Sequence, residues 1–361
     1  MQQELLALLL CPSCRQSRLS VQPPALYGKS NASIDAELVC SSCERRYPVV
    51  AGVPVLFSDP GRIAFAVDET VKERNVSAIA RLNRQYLSSL SAKRLRLAGQ
   101  SDGGKLAWEY FYWSRWAGEQ GEDAGFLRGD RERIDRYLGD RELGAGRLWF
   151  LEQVERAEGG LRGKLVLNVG CGRDLLLEHM LDRGCRLIEQ DIVLDSLLAV
   201  RKRGAPFCIC GDLAELPIAD NVADIVTSFG VLHHVWPIRR PLTHVHRVLK
   251  PGGAAHFAEP NALALATVNK SFRPGPLFKM LERLQRDWAA PSPFERCINP
   301  FVMSGLLREI GFPRGGISRS FFHDMRGNPP LAVRFLMQQL LRLLPGLSTR
   351  FYLAARKPAS S

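Results

Sequence analysis

No stretch of the 361-residue chain is long enough and free enough of charge to span a bilayer, so a membrane-embedded protein is not expected. A secretory leader is not expected either: the first apolar run, Leu5 to Leu10, is short, follows Glu4 and leads straight into Cys11. The nine cysteines therefore read as reduced thiols of a cytoplasmic protein. Internal repeats and low-complexity tracts are lacking, which leaves ordinary compact domains, two or three at this length. Lysine is scarce. Ten of the 49 Lys+Arg are Lys, so the net charge of +12 rests on arginine. Such a balance draws nucleic acid, acidic headgroups or phosphorylated substrates, or it leaves solvated basic faces with no partner. The charge reads as spread along the chain, which does not decide between them.

What is present falls into three zones. Residues 1–58 are a Cys- and Pro-punctuated, strand-like module ending in Val53-Pro54-Val55-Leu56-Phe57. Residues 59–160 read as a helical linker or lid, with basic heptad-like stretches from Val71 to Leu97 and an aromatic cluster from Trp108 to Trp116. Residues 161–358 alternate short apolar strands with amphipathic helices, the pattern of a doubly wound, mostly parallel α/β sheet.

In the first zone Cys11 and Cys14, then Cys40 and Cys43, make a doubled C-x2-C. Two such knuckles set four thiolates around a structural Zn2+ and leave no open position for a substrate. A module of about sixty residues has little core of its own, so the metal would supply much of its folding energy. Together with Tyr47-Pro48 and Pro54-Val55-Leu56, the knuckles make residues 3–57 similar to one particular zinc ribbon. It is the small protein that in eukaryotes binds and activates tRNA, ribosomal RNA and release-factor methyltransferases. That resemblance implies a methyltransferase-associated module fused in cis. Pro23 to Ala36, between the knuckles, reads as an insertion or a hairpin.

Lys164 to Asp174 reads as a buried strand entering a turn with Gly170 and Gly172, followed by a helix from Leu175 to Arg183. Glycines there let the backbone approach a ligand, and a helix start offers unpaired N–H groups. The third glycine of a pyrophosphate site is lacking. A second strand ends at Asp191, an acid suited to a ribose diol, and a third ends at Asp212. A fourth ends at Phe229, before His233-His234, and Lys250-Pro251-Gly252-Gly253 leads into a fifth ending at Glu259-Pro260-Asn261.

This ordered set makes residues 161–262 similar to the class I, Rossmann-like "type 11" S-adenosylmethionine-dependent methyltransferases, whose sheet has seven strands. The resemblance implies that Gly170 and Gly172 face the methionine part of S-adenosylmethionine, with Cys171 and Ile192 in the same site. By the same resemblance Asp191 bonds the ribose and Asp212 the adenine amino group, Leu213 adds a backbone N–H, and Phe229 lies beside the sulfonium. The family usually has an acid where Asn168 stands, and a small residue then glycine where Arg173-Asp174 stand. Asn168 can still hydrogen-bond, and Asp174 is positioned to replace the acid from across the turn.

A base is required only where the acceptor keeps its proton at neutral pH. His233, His234 and Glu259 are the titratable candidates, each with packing or loop-shaping as the alternative. The expected function is O- or C-methylation of a small-molecule, glycan or lipid-linked acceptor. The alternatives are an RNA or translation-factor methyltransferase and a cofactor-binding regulatory protein without transferase activity. The aromatic cluster could stack a base or pack on the sheet. Leu336, Leu340, Leu343, Leu344 and Leu347 form one helical stripe, read either as a peripheral membrane contact or as docking on the protein's own sheet.

Overall fold

The computed structural model describes residues 3–15, 19–26, 34–75, 145–235, 237–264, 297–322, 339–341 and 344–359, with 77, 336 and 343 besides. The aromatic cluster from Trp108 to Trp116 lies outside these residues, as does most of the heptad-like stretch. The described chain forms two compact units, one of residues 1–131 with 162–223 and one of residues 132–161 with 224–361. The linear zones of the sequence and these spatial units cut the chain differently.

The first unit begins with helix α1 (Gln3–Leu8) and strands β1 (Leu19–Gln22), β2 (Ile34–Cys40), β3 (Arg46–Val50) and β4 (Val53–Leu56). β1 and β2 pair antiparallel, Leu19 opposite Cys40 and Gln22 opposite Glu37, so the chain between the knuckles is a hairpin. Helix α2 (Pro60–Val67) follows, capped by the Asp59 carboxylate, which accepts from the Gly61 N–H, and opened by Pro60 where a missing N–H costs nothing. The α/β part supplies β5 (Leu165–Val169), β6 (Arg186–Asp191) and β7 (Phe207–Gly211) with helices between the strands. Strand order is β1-β2-β3-β4-β7-β6-β5, and the last three pair parallel where described. Leu165, Val166, Leu167 and Val169 are all buried, as expected of strands covered on both faces.

The ribbon is therefore no appendage. Its strand β4 runs parallel to β7, Val55 opposite Cys210 and Leu56 opposite Gly211. A Cβ at Gly211 would stand 2.9 Å from the Leu56 carbonyl oxygen, so glycine is what lets the two backbones meet. A second seam joins the Leu10 N–H to the Pro217 carbonyl at 3.0 Å and the Ala219 N–H to the Leu8 carbonyl at 2.8 Å. Val53, Val55, Leu56 and Phe57 are fully buried. Each such side chain contributes roughly 1.5–3 kcal/mol of apolar burial.

The second unit holds helix α3 (Ala145–Glu158), β8 (Ala223–Phe229), helix α4 (Arg239–Val248), β9 (Leu249–Pro260), helix α5 (Pro300–Ile310), β10 (Ile317–Phe322) and β11 (Arg350–Arg356). Its order is β8-β9-β11-β10, with β11 antiparallel to both neighbours. The first unit thus holds its three parallel strands in order 3-2-1, and the second its four in order 4-5-7-6. α3 is pinned to this sheet by a buried polar chain. His256 contacts the Tyr352 hydroxyl at 2.7 Å and Glu158 at 3.1 Å, and Arg356 lies 2.5 Å from the same carboxylate. Burial opposes ionisation of Glu158, but His256 and then Arg356 hold its carboxyl below the usual range.

Two expectations change. Residues 224–361 carry 19 of the Lys+Arg and 7 of the Asp+Glu, which is the whole excess of +12, so the charge is not spread along the chain. Within the leucine stripe, Leu336, Leu340, Leu343 and Leu344 are exposed, and Leu341 between them is the buried one. The stripe does not dock on the sheet through those four residues. Among the described residues no helix is long and apolar enough to cross a membrane.

Candidate active site

The four cysteine sulfurs lie within 4.8 Å of one another, Cys11 to Cys43 at 3.6 Å and Cys14 to Cys40 at 3.5 Å. Tetrahedral zinc with bonds of about 2.3 Å needs sulfurs about 3.8 Å apart, so the thiols fit the ion. After each knuckle the chain turns left-handed, at Arg15 (φ 57) and Glu44 (φ 55), and their N–H groups return to the Cys11 and Cys40 carbonyls. The fully buried Tyr47 places its hydroxyl 3.1 Å from the Cys11 sulfur and 2.9 Å from Ser13.

At the end of β5, Gly170 (φ 65), Gly172 (φ 56) and Asp174 (φ 21) take up a conformation that favours glycine. A Cβ at Gly172 would meet nothing within 4 Å, so the turn borders open space of the kind a cofactor could fill. Asp191 holds this turn: one carboxylate oxygen accepts the Gly172 N–H at 2.7 Å, the other the Val193 N–H at 2.8 Å. Gln190 ties it sideways. Its carbonyl groups accept the Cys171 N–H at 3.0 Å and the Gly170 N–H at 3.4 Å, while its amide donates to the Gly211 carbonyl at 2.6 Å. Ile192, next along, accepts the Cys210 thiol at 3.7 Å. Asp212 caps the turn Leu213–Glu215, accepting the Ala214 N–H at 2.7 Å, and its second oxygen pairs with Arg62 at 2.6 Å. Leu213 is buried beneath it.

Asn168 sits opposite Glu189 across β5 and β6 and donates its amide to that carboxylate at 2.9 Å. Glu189 is fully buried and close enough to Asp174 for the two carboxyls to feel each other's charge, and Asp174 accepts the Leu176 N–H at 3.0 Å. Burial, then the neighbouring Asp174 charge, pushes the Glu189 carboxyl well above its ordinary range. Burial raises Asp174 as well. Two like charges so near each other and so buried oppose each other's ionisation. Asp174 thus turns to Glu189, and the acid that meets Asn168 comes from the neighbouring strand. Sequence reasoning missed Glu189, Gln190 and Arg62. Its one signal for the first two was the uninterrupted polar run Glu189-Gln190-Asp191 at a strand end, which a buried parallel strand does not carry without partners.

In the second unit Glu259 is fully buried, and one of its oxygens accepts the N–H groups of Val231 at 3.0 Å and Leu232 at 2.8 Å. The other lies 2.8 Å from His233 Nδ1. A neutral His233 donating from Nδ1 keeps a lone pair on Nε2. His234 packs against that ring at 4.1 Å between centroids, tilted by 42°. Gly230 (φ 69) leaves room in front: a Cβ there would lie 3.8 Å from His233 Cε1 and 3.9 Å from the Arg350 guanidinium. Phe229 is flanked by Phe150 at 5.4 Å and by the guanidinium groups of Arg147 at 5.0 Å and Arg350 at 5.4 Å.

Two segments of the chain match known families. Residues 167–257 match the family model described as a methyltransferase domain, and residues 2–52 match that of Trm112p-like proteins. A probable S-adenosylmethionine-dependent methyltransferase of Mycolicibacterium smegmatis is 33% identical over 151 residues, 42% of this chain and 52% of that protein. The chain thus spans about half the length of that curated relative. A ubiquinone biosynthesis O-methyltransferase of Bordetella avium is 24% identical over 217 residues, 57% of this chain and 81% of the other. A solved complex of the Haloferax volcanii Trm112 methyltransferase activator with a putative methyltransferase aligns at 17% identity and a TM-score of 0.41, covering 62% of this chain and 97% of that one. One polypeptide thus carries a segment similar to Trm112p-like proteins and a segment similar to a methyltransferase domain.

Proposed function

We propose that the protein is an S-adenosylmethionine-dependent methyltransferase that methylates oxygen or carbon of a small-molecule, glycan or lipid-linked acceptor. The observation that carries the reading is the Gly170–Gly172 turn held by the Asp191 carboxylate beside open space, within residues that match a methyltransferase domain. When bound, the cofactor supplies a methyl group activated by a positive sulfonium. Cys171 and Ile192 would lie in its site, Asp191 would accept from the ribose hydroxyls, and Asp212 with the Leu213 N–H would hold the adenine. Zn2+ is the structural metal of Cys11, Cys14, Cys40 and Cys43.

The remaining work belongs to the chain. Methyl transfer needs the nucleophile in line and water kept out. His233, turned by Glu259, takes the acceptor's proton at Nε2 when the acceptor is a hydroxyl or a ring carbon acid. His234 packs the imidazole from the side. Arg350, beside the same glycine, favours the oxyanion left after deprotonation. The amide of Asn168 reaches a carboxylate through Glu189, which weighs against a regulatory protein that has lost the chemistry. The Trm112p-like module favours a second reading, an RNA or translation-factor methyltransferase. We place the protein in the cytoplasm, with peripheral membrane contact through the exposed Leu336, Leu340 and Leu343 where the acceptor is lipid-linked.

Incubating the protein with methyl-labelled cofactor and fractionated extract tests all of this. Label in the lipid or small-molecule fraction supports the first reading, and label in RNA or protein replaces it with the second. Calorimetry that detects no cofactor binding removes both.

A further inference from the structure

We infer that Arg203 is a positioning residue of the cofactor site, holding Asp174 in the backbone conformation that the turn after β5 requires. This rests on the methyltransferase reading above. It adds to the site a residue 30 positions beyond Arg173, just past the helix Leu194–Lys202 that follows β6.

Gly170, Gly172 and Asp174 share a positive φ, and of the three only Asp174 has a side chain. Such a torsion is costly for it and lasts only where the surroundings impose it. Inside the turn, the Asp174 N–H donates to the Cys171 carbonyl at 2.9 Å, and its carboxylate accepts the Leu176 N–H at 3.0 Å. Arg203 grips the turn from outside. One nitrogen, Nη1, donates to the Arg173 carbonyl at 2.5 Å and to the Asp174 carbonyl at 2.9 Å. Those carbonyls belong to the two peptide planes that meet at the Asp174 Cα. Fixing the direction of both fixes φ and ψ of that residue.

The guanidinium is itself held. Its Nε and Nη2 donate to the two oxygens of Glu178 at 3.0 and 2.6 Å, a bidentate pair whose side chains are 3% and 16% exposed. Glu178 lies in the first turn of the helix Leu177–Asp182, which follows the glycine turn. Burying two charges is costly, and an apolar pair would join the two helices as well. What the arginine adds is a planar fork, with donors left for two backbone oxygens after it has met the carboxylate. Asp191 holds the turn at Gly172, and Arg203 holds it at Arg173 and Asp174. The edge that borders open space is thereby fixed from both ends.

The test is calorimetric binding of S-adenosylhomocysteine, the demethylated cofactor, to four full chains: wild type, Arg203→Met, Asp174→Gly and the double variant. Glycine takes a positive φ freely, so it removes the need for the clamp. Arg203→Met is expected to lower affinity about tenfold on its own, and less than about twofold beside Asp174→Gly. A merely structural arginine costs the same factor in both backgrounds. That equal cost, or unchanged affinity in Arg203→Met, overturns the inference. Should Asp174→Gly bind too weakly to measure, urea unfolding of the same four chains carries the comparison. A loss from Arg203→Met that shrinks in the glycine background then supports the inference, and an equal loss overturns it. Should Arg203→Met fail to fold, Arg203→Lys, which keeps the charge but not the fork, takes its place. Wild type that does not bind the compound overturns the methyltransferase reading itself, and with it this one.

Discussion

The two units use buried carboxylates in opposite ways. In the first, Asp191 and Asp212 end parallel strands and accept backbone N–H groups two residues ahead, and Asp191 also accepts the Gly172 N–H. Their charge is spent on holding turns still. In the second, Glu259 accepts two backbone N–H groups with one oxygen and reserves the other for His233. Its charge is spent on aiming a ring that can take a proton. Net charge instead follows position in the sequence: residues 1–223 balance and residues 224–361 hold the entire +12. Turns are held still by fixed acceptors, whereas a ring that can take a proton needs one carboxylate to aim it.

The largest expected effect tests whether the first unit is one structure with its ribbon. Stripping the metal, or Cys40→Ser, should melt the module, because metal binding in small zinc domains contributes on the order of 10 kcal/mol to folding. Through β4 the loss should reach β7 and cut cofactor affinity at least about tenfold. Thermal unfolding and calorimetry with and without a chelator check both. Unaltered unfolding and binding would make the ribbon an appendage after all.

The second effect separates the units by kinetics. His233→Ala should lower turnover by about 10²–10⁴-fold, the usual size of a general-base contribution, while cofactor affinity changes less than about twofold. Glu259→Gln should fall in the same direction with a smaller loss. Equal turnover in His233→Ala and wild type would return the dyad to loop-shaping.

Third, Asp191→Asn keeps the shape but not the charge, and hydrogen bonds to charged groups contribute about 1.5–3 kcal/mol. Cofactor affinity should drop accordingly, with turnover at saturation little changed. The asparagine variant is preferable to alanine, which would also release the Gly172 turn.

The smallest effect concerns pH. Glu189 and Asp174 are held above their ordinary values of 4.5 and 3.8, so the folded chain keeps a proton that the unfolded chain has lost. That stabilisation is complete below about pH 4 and fades as pH rises through the pair's own ionisation. Glu189→Gln should flatten this slope and leave the variant more stable than wild type at alkaline pH, by about 1–2 kcal/mol. Melting curves across pH measure it, and parallel slopes in the two proteins would mean the pair keeps no such proton.

Much of the site was legible from residue order. Gly170 and Gly172 declare a turn that other residues would strain, and the spacing of Cys11, Cys14, Cys40 and Cys43 declares that four thiols come together. Strand ends at Asp191, Phe229 and Glu259 followed from apolar runs that stop at polar residues. Partners across strands were not legible. Asn168 reads as a lost acid until the parallel register sets it opposite Glu189. His233 and His234 are equivalent in sequence, and only the 2.8 Å contact to Glu259 distinguishes them. The leucine stripe shows the reverse case, a periodicity correctly seen whose direction, outward at Leu336, Leu340 and Leu343, no periodicity states.

By itself, then, the sequence determined the class of fold, the clustering of four cysteines and the Gly170–Gly172 turn, because torsional freedom, thiol spacing and apolar periodicity are local properties. Tertiary structure alone decided that the ribbon's β4 continues the sheet beside β7, that Arg62 reaches Asp212 across 150 residues, and which histidine Glu259 holds. Those depend on register and on pairings between charges far apart in the chain, and their energy exists only once the backbone has brought them together in a place from which water is excluded.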